Sequence, residues 1–248
     1  MIRIAGLFKS FGPKVVLSGV DLEIRTGETM VVIGQSGSGK SVLLKHLIGI
    51  LAPDAGTIEI DGLEVTRLRG DARQAATRKF GMLFQGAALF DSMTVAQNVA
   101  FGLERYMDLR PDEVAARVAD SLEKVGLRGI DGLMPHELSG GMKKRVGLAR
   151  AIAYQPVIML YDEPSTGIDP IRADAINELV ILLQREMRVT SVVITHDMVS
   201  ASKVADRIAM LYEGRIVALG TPSEIRDSDN AVVQQFIHGR AEGPIRNW

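Results

Sequence analysis

One segment of the sequence has the residue types and the spacing that bind phosphate groups. It fits the pattern G-x-x-x-x-G-K-[ST] and reads Gly34-Gln35-Ser36-Gly37-Ser38-Gly39-Lys40-Ser41. The glycines let the main chain wrap closely, so that several N–H groups point at one anion, and the following helix adds its positive end. In such a loop Lys40 reaches the β- and γ-phosphates and Ser41 ligates Mg²⁺. The segment therefore predicts binding of ATP with Mg²⁺.

A second candidate is the carboxylate pair Asp162 and Glu163, which ends the apolar run that begins at Val157. If this run is a strand beside the one that feeds the phosphate loop, both carboxylates lie at the nucleotide. Asp162 then holds Mg²⁺, directly or through water, and Glu163 is the general base that polarises the attacking water. Taken alone, the pair is equally consistent with a strand end capped by solvated acids.

A third candidate is a helix that opens with an unusual charge pattern. It begins at Leu138-Ser139-Gly140-Gly141-Met142, where Ser139 is a good N-cap. Lys143, Lys144 and Arg145 then occupy the first turns, where cations oppose the helix dipole. An anion beyond this helix end would make the arrangement favourable, and a solvated basic face is the alternative.

Two polar residues follow predicted strands. Gln85 comes directly after the strand Phe80–Phe84 and could ligate Mg²⁺ or water and sense the γ-phosphate. His196 ends a later strand and could contact the γ-phosphate or orient the water. In isolation, a lone Gln is a surface residue and a lone His is structural. The remaining histidines are interpreted as structural: His46, His136 and His238.

These residues require a scaffold that brings the ends of several strands together. Short apolar strands alternate with helices along the chain, and the clearest are Thr29–Ile33, Val157–Asp162 and Ser191–Thr195. This alternation is typical of a largely parallel sheet that is covered on both faces. From Thr94 to about Gly126 the pattern is helical, which indicates a helical subdomain inserted into the α/β core. Its apolar face consists of Val114, Val118, Leu122 and Val125.

Composition narrows the classes of function. The 248 residues carry a net charge of -1, which argues against broad binding to a nucleic-acid backbone, since that needs a basic face. The absence of cysteine excludes disulfides and cysteine–zinc sites. No stretch approaches the ~18 apolar residues of a membrane helix, and the N-terminal residues lack the apolar core of a signal peptide. We expect a cytosolic protein that reaches a membrane only through a partner.

Together, these motifs in this order resemble the nucleotide-binding subunit of ABC transporters, over about residues 2–222. The resemblance implies an α/β P-loop NTPase core of the ABC ATPase type, with an N-terminal antiparallel β subdomain and an inserted α-helical subdomain. The implied Mg²⁺ ligands are Ser41, Gln85 and Asp162, and the implied catalytic residues are Glu163 and His196. The other implied assignments are Gln85 as the Q-loop, Leu138–Met142 as the signature, Ser165–Asp169 as the D-loop, His196 as the switch histidine and Phe11 as the aromatic that stacks on adenine.

The resemblance also implies a head-to-tail dimer of two copies. Ser139, Gly140 and Gly141 of one copy would cover the γ-phosphate held by Lys40 of the other, which would explain the basic helix. Two transmembrane permease subunits would each dock a short helix near Gln85, with residues around 87–94 as the relay. The competing class is a soluble ABC-type ATPase acting on DNA or ribosomes. One cassette, a short insert and no net basicity argue against it, so we expect no nucleic-acid partner.

Three departures from the commonest family pattern indicate a subgroup: Met142 stands in place of Gln, Gly167 in place of Ala and Phe11 in place of Tyr. Residues 138–146 and 161–170 are similar to the ATPase of bacterial MCE-type phospholipid transport systems, which maintain outer-membrane lipid asymmetry. This similarity implies an MCE-domain periplasmic lipid-binding partner, an optional small cytosolic accessory subunit, and a place at the cytoplasmic face of the bacterial inner membrane. ATPases for amino-acid or lipoprotein transport share the core motifs and stay open as the alternative.

The predicted domain organisation follows from the same comparison. We expect an ABC ATPase domain over residues 1–222, with the helical insert at about 86–155, and a C-terminal tail over residues 223–248. Within the tail, apolar residues from Val232 to Ile237 share one helical face. Two interpretations of the tail are open: an extension that contacts a second copy, and a helix that packs on its own domain.

Overall fold

The computed structural model describes residues 1–246 of the chain, so Asn247 and Trp248, at the end of the predicted tail, lie outside the described residues. The chain forms two compact units. The first comprises residues 1–77 together with residues 190–246, and the second comprises residues 78–189. The predicted helical insert lies within the second unit.

The bounds of the elements are as follows. The strands are β1 (Ile2–Phe11), β2 (Lys14–Ile24), β3 (Thr29–Ile33), β4 (Ala55–Ile60), β5 (Leu63–Glu64), β6 (Phe80–Leu83), β7 (Ile158–Asp162), β8 (Thr190–Thr195), β9 (Arg207–Tyr212) and β10 (Arg215–Gly220). The helices are α1 (Lys40–Leu47), α2 (Gly70–Thr77), α3 (Val95–Tyr106), α4 (Pro111–Lys124), α5 (Gly140–Ile152), α6 (Pro170–Met187), α7 (Met198–Val204), α8 (Pro222–Arg226) and α9 (Ala231–Ile237). Within residues 1–246 there is also one 3₁₀ turn, Pro135–Glu137.

Two sheets build the first unit. One is antiparallel, with the strand order β2-β1-β4-β5. In the other, β3 runs parallel to both β8 and β9, and β9 pairs antiparallel with β10. All five residues of β3 are buried, which explains its unbroken apolar sequence, because a central parallel strand is covered on both faces. The predicted α/β core with an antiparallel β subdomain is confirmed.

Helices dominate the second unit. Here β6 and β7 pair in parallel, and α3, α4 and α5 pack on one another. The α3 helix begins with a capping box, in which the Thr94 hydroxyl accepts from the Gln97 N–H and the Gln97 side chain accepts from the Thr94 N–H. The apolar face predicted for this region is buried along α4. The inserted helical subdomain is therefore confirmed.

The three strands predicted most clearly are confirmed to within one residue. In contrast, α2, α8 and the short β5 were not predicted. The reason is plain for α2, because none of its residues is buried and its sequence therefore has no periodic apolar face. None of the helices between residues 1 and 246 combines the length and the apolar content that crossing a bilayer requires.

One ionic contact secures the end of β1 in the first unit. The Asp54 carboxylate accepts from Lys9 Nζ at 2.7 Å, from the Ser10 N–H at 2.7 Å and from the Ser10 hydroxyl at 2.9 Å. These hydrogen bonds, the one from Lys9 above all, lower the pKa of Asp54 to about 2. Ser10 directly precedes Phe11, the predicted adenine aromatic, so Asp54 anchors the strand end that carries it.

We predict that Asp54→Asn lowers the free energy of unfolding at neutral pH. The pKa of Asp54 is depressed in the folded chain, so the ionised carboxylate stabilises the fold. This stabilisation is fully present above the unfolded pKa of about 3.9 and is lost as the pH falls through about 2. Urea titrations from pH 7 downward should show the gap between wild type and variant closing below about pH 4. Asp120→Asn, which breaks only an exposed pair with Lys124, serves as the control. A gap that stays constant between pH 5 and pH 3 would contradict the assignment.

Candidate nucleotide-binding and catalytic site

The predicted phosphate loop joins β3 to α1 and curls around its own lysine. Lys40 is buried, and its Nζ donates to the Gly34 carbonyl at 2.6 Å and to the Gln35 carbonyl at 2.8 Å. Gly39 caps the helix with φ +104°, a left-handed conformation that side chains rarely adopt. The loop is thus held in a closed curve before any ligand binds.

Close approach explains why the loop begins with glycine. A Cβ on Gly34 would lie 2.3 Å from the Leu211 carbonyl oxygen and 2.9 Å from Ser38 Oγ. The Ser38 hydroxyl itself is buried and has no hydrogen-bond partner among the described residues. An unpaired donor inside a curled main chain fits a bound phosphate oxygen, because a buried hydroxyl without a partner costs free energy. The residues present therefore fit the phosphates of ATP.

A cavity of about 370 Å³ adjoins this loop within the first unit. Its walls come from three parts of the chain that are distant in sequence. These are Phe8 with Lys14, Val15, Val16 and Ser18, the loop residues Gly37 and Ser38, and the turn Glu213-Gly214. Of these, only the loop residues were predicted, since the other two segments carry no motif. Phe11 is not among the lining residues, but its ring is 47% exposed, with Lys9 Nζ 5.5 Å from its centroid. An exposed ring of this kind can stack on a base.

His196 leaves the sheet at the same edge as the phosphate loop. Its strand β8 runs parallel to β3, with Ile33 opposite Thr195, so the residues after these two strands emerge side by side. The following Asp197 caps α7 by accepting from the N–H groups of Val199 and Ser200. The position of His196 agrees with its prediction as a residue at the end of a strand near the loop.

In the second unit, the other predicted site residues also follow two parallel strands. Its strands β6 and β7 are parallel, with Leu83 opposite Tyr161, so Gln85 and the pair Asp162 and Glu163 emerge at one edge. Glu163 adopts φ +49°, which is uncommon for a residue with a side chain. The Thr166 hydroxyl donates to Glu163 Oε2 at 3.0 Å and fixes the direction of the carboxylate.

Lys144 connects the two loops of this edge. It is 5% exposed, and its Nζ donates to the carbonyl of Gln85 and, at 3.3 Å, to the carbonyl of Glu163. Burial lowers the pKa of Lys144, and the charges of Asp162 and Glu163 oppose that shift. The basic start of α5 gave no prediction of a contact between Lys144 and the Gln85 loop.

Arg150, two turns further along α5, holds the next part of the same loop. Its guanidinium donates to the carbonyls of Ala87 and Ala88, at 2.7 Å in each case. Both alanines have left-handed φ angles, +60° and +48°. The loop backbone is therefore strained at the two residues whose carbonyls accept hydrogen bonds from Arg150. The guanidinium also lies 5.8 Å from the ring centroid of Phe90, which is 41% exposed.

The signature segment lies against the predicted D-loop. The Ser139 hydroxyl accepts from the Met142 N–H at 3.3 Å, which confirms Ser139 as the N-cap of α5. A Cβ on Gly140 would be 3.7 Å from Ile168, and one on Gly141 would be 3.6 Å from Arg172, so both glycines face this loop and the start of α6. Asp169 caps α6 by accepting from the Arg172 N–H at 3.1 Å. The sequence assigned Asp169 to the D-loop and did not identify it as a cap.

Comparison with known proteins gives consistent matches over nearly the whole chain. A family model described as ABC transporter matches residues 17–166. The chain is 40% identical to Protein TRIGALACTOSYLDIACYLGLYCEROL 3, chloroplastic, of Arabidopsis thaliana, over 99% of this chain and 76% of that protein. It is 37% identical to the intermembrane phospholipid transport system ATP-binding protein MlaF of Haemophilus influenzae, over 99% of this chain and 93% of that protein.

Two further matches are an ATP-binding protein for a different cargo and a solved structure. The chain is 41% identical to the sulfate/thiosulfate import ATP-binding protein CysA of Caulobacter vibrioides, over 95% of this chain and 69% of that protein. Among solved structures, it is similar to the dimeric post-hydrolysis state of the ATP-binding cassette MJ0796 bound to ADP and Pi. That similarity has a TM-score of 0.82 at 30% identity and covers 90% of this chain and 99% of the other.

We predict that Lys144→Met destabilises the second unit and slows ATP turnover, whereas Lys144→Arg retains most of both. Loss of the ammonium leaves the buried carbonyl of Glu163 and the part-buried carbonyl of Gln85 without their donor, which should cost about 2 kcal/mol of unfolding free energy. Displacement of Glu163 should reduce turnover by about tenfold or more. Urea denaturation and steady-state phosphate release measure the two effects. Lys124→Met, at a half-exposed lysine of the same unit, is the control. Equal turnover in Lys144→Met and Lys124→Met would refute the positioning role.

Proposed function

This chain belongs to the ABC transporter family as an ATP-hydrolysing subunit, and we propose that it powers the movement of phospholipids between the inner and outer membranes of a bacterium. Members of the family work as dimers with membrane permease subunits. The phospholipid assignment rests on the similarity to MlaF, which extends over 99% of this chain and 93% of that protein. The motif variants Met142, Gly167 and Phe11 support the same subgroup.

In the proposed mechanism, the motif residues of the first unit bind the nucleotide. Phe11 stacks on the adenine, and the N–H groups of residues 34–41, with Lys40, hold the phosphates. His196, at the same edge of the sheet, contacts the γ-phosphate. We assign Ser41, Gln85 and Asp162 as the residues that would hold Mg²⁺, which would neutralise charge on the phosphates.

The observation that supports hydrolysis most directly is the setting of Glu163. The Thr166 hydroxyl orients the Glu163 carboxylate, and Lys144 holds the Glu163 main chain. The carboxylate that would act as general base is therefore fixed in one orientation. In the proposed step Glu163 takes a proton from the attacking water as the bond to the γ-phosphoryl group breaks and ADP leaves. We assign Ser139, Gly140, Gly141 and Asp169 to the nucleotide of a second copy. The dimeric MJ0796 structure is consistent with that arrangement.

The proposed docking surface for the permease is the aromatic edge beside the Gln85 loop. Phe84 and Phe90 are both large apolar residues with substantial exposure, at 36% and 41%. The Phe90 ring packs on Phe101 at a centroid distance of 4.6 Å, so it is presented in a fixed position. Exposed apolar side chains held in this way favour a protein partner.

We predict that Glu163→Gln binds ATP with the affinity of the wild type but loses turnover by a factor of about 10² to 10⁴, because the amide cannot accept the proton. Unable to hydrolyse ATP, the variant should accumulate as a dimer on size-exclusion chromatography with ATP and Mg²⁺. Glu186→Gln, an exposed position on α6, should match wild type in all three measurements. Turnover within twofold of wild type in Glu163→Gln would falsify the general-base assignment.

The cargo is tested by purifying the assembled complex from native membranes through a tag on this chain. We expect co-purification of a permease and an MCE-domain protein, enrichment of phospholipid over a mock purification, and ATP turnover that the membrane subunits stimulate. Phe90→Asp should lose the permease, whereas Leu63→Asp, at a residue of the antiparallel sheet that is 50% exposed against 41% for Phe90, should retain it. Recovery of a sulfate or amino-acid permease without bound phospholipid would overturn the phospholipid assignment and leave the ATPase assignment intact.

A further inference from the structure

The described end of the chain folds back onto its own unit and is held by one glutamine. Gln235, in α9, is 5% exposed, and its side chain bonds only to main chain. Its Oε1 accepts from the Ile245 N–H at 2.7 Å, and its Nε2 donates to the carbonyls of Ile245 and Arg240, at 3.2 Å each. The side-chain amide thus pairs with Ile245 as a neighbouring strand would. We call residues 240–245 the C-terminal clasp.

Packing shows that the clasp occupies a built site. Ile245 is 3% exposed, so its side chain is buried although it lies close to the chain end. A Cβ on Gly243 would lie 2.3 Å from Gln235 Oε1, so only glycine permits the close approach. At the other end of α9, Asn230 Nδ2 donates to the Val217 carbonyl on β10. Both ends of this helix are therefore fixed to the first unit.

The clasp is connected to the end of β9 through a tyrosine. The Tyr212 hydroxyl donates to the Pro244 carbonyl at 3.3 Å. Burial and the neighbouring Glu213 carboxylate raise the pKa of Tyr212, so the hydroxyl keeps its proton at neutral pH. The Tyr212 hydroxyl therefore lies between two acceptors, the Pro244 carbonyl of the clasp and the Glu213 carboxylate.

Tyr212 lies between a residue that contacts the phosphate loop and two residues that line the cavity beside that loop. The preceding Leu211 carbonyl closes on Gly34, leaving no room for a Cβ there. The following Glu213 and Gly214 line the cavity together with Ser38 of the phosphate loop. In closely packed interiors, a small shift of such a segment is transmitted to its neighbours.

We propose that the C-terminal clasp positions residues 211–214 against the phosphate loop, so that docking of the clasp sets the affinity of the cavity for nucleotide. Tyr212 and Gln235 are positioning residues in this scheme, since neither belongs to the proposed ligand set. The inference rests on the proposed function of the cavity as the ATP site. It gives the tail a role inside its own copy, independent of any contact with a second copy.

The test is nucleotide affinity in variants that release the clasp. Tyr212→Phe removes the single hydrogen bond from this hydroxyl to the clasp and should weaken binding of a fluorescent ATP analogue by about threefold. Gln235→Leu removes three hydrogen bonds to the clasp and should weaken binding by about tenfold or more. In steady-state assays the KM for ATP should rise with kcat unchanged, because the catalytic carboxylate lies in the other unit. Tyr106→Phe, which loses a hydroxyl in the helical insert, should bind like wild type.

Hydrogen exchange supplies a readout independent of turnover. Amides of residues 34–41 and 211–214 should exchange faster in Tyr212→Phe and in a chain ending at Gly239, with residues 78–189 unchanged. If Gln235→Leu fails to fold, Tyr212→Phe alone decides. Wild-type affinity in a variant whose clasp amides exchange freely would refute the inference and leave the proposed function standing. A wild-type chain that binds no ATP analogue would instead refute the proposed function.

Discussion

Buried and half-buried cations that pair with main-chain carbonyls determine where the functional loops lie. A buried ammonium or guanidinium is costly unless its donors are satisfied, and a tight loop has carbonyls that no helix or strand can satisfy. When a cation on a rigid helix points into such a loop, its N–H donors satisfy the carbonyls and the carbonyls satisfy its donors. The buried Lys40 does so in the first unit. In the second unit, the buried Lys144 and the half-buried Arg150 do so. The loops are therefore held from within by helices.

This constraint explains how strained main chain persists at the site. Left-handed φ angles at residues other than glycine cost about 1–3 kcal/mol each, so they survive only where the surroundings over-determine them. Ala87 and Ala88 are held by Arg150, and the main chain of Glu163 by Lys144. The strain coincides with the loop after Gln85 and with the proposed general base, which are positions where conformation has to respond to a ligand.

The sequence predicts those elements and residues that are marked by a periodic apolar pattern or by a motif. The strand–loop–helix around Lys40, the N-cap Ser139 and the apolar face of α4 all have such signals, and the structure contains each of them. Lys144 was missed because its charged neighbours suggested an exposed face. A signal was present, since Lys144 is three residues from Gly147 and four from Leu148, both buried. The cavity walls had no such signal, because residues 14–18 and 213–214 meet only through tertiary pairing.

The second unit contains a continuous series of contacts that the proposed function would use. The exposed Phe90 ring lies beside the Arg150 guanidinium, which holds Ala87 and Ala88. Arg150 and Lys144 belong to one helix, and Lys144 reaches the Glu163 carbonyl. Pressure from a docked permease on Phe90 would therefore move the loop and α5 together, because the loop cannot shift without breaking bonds to that helix. Displacement of α5 would in turn shift Glu163, so permease docking and hydrolysis would respond to a single helix.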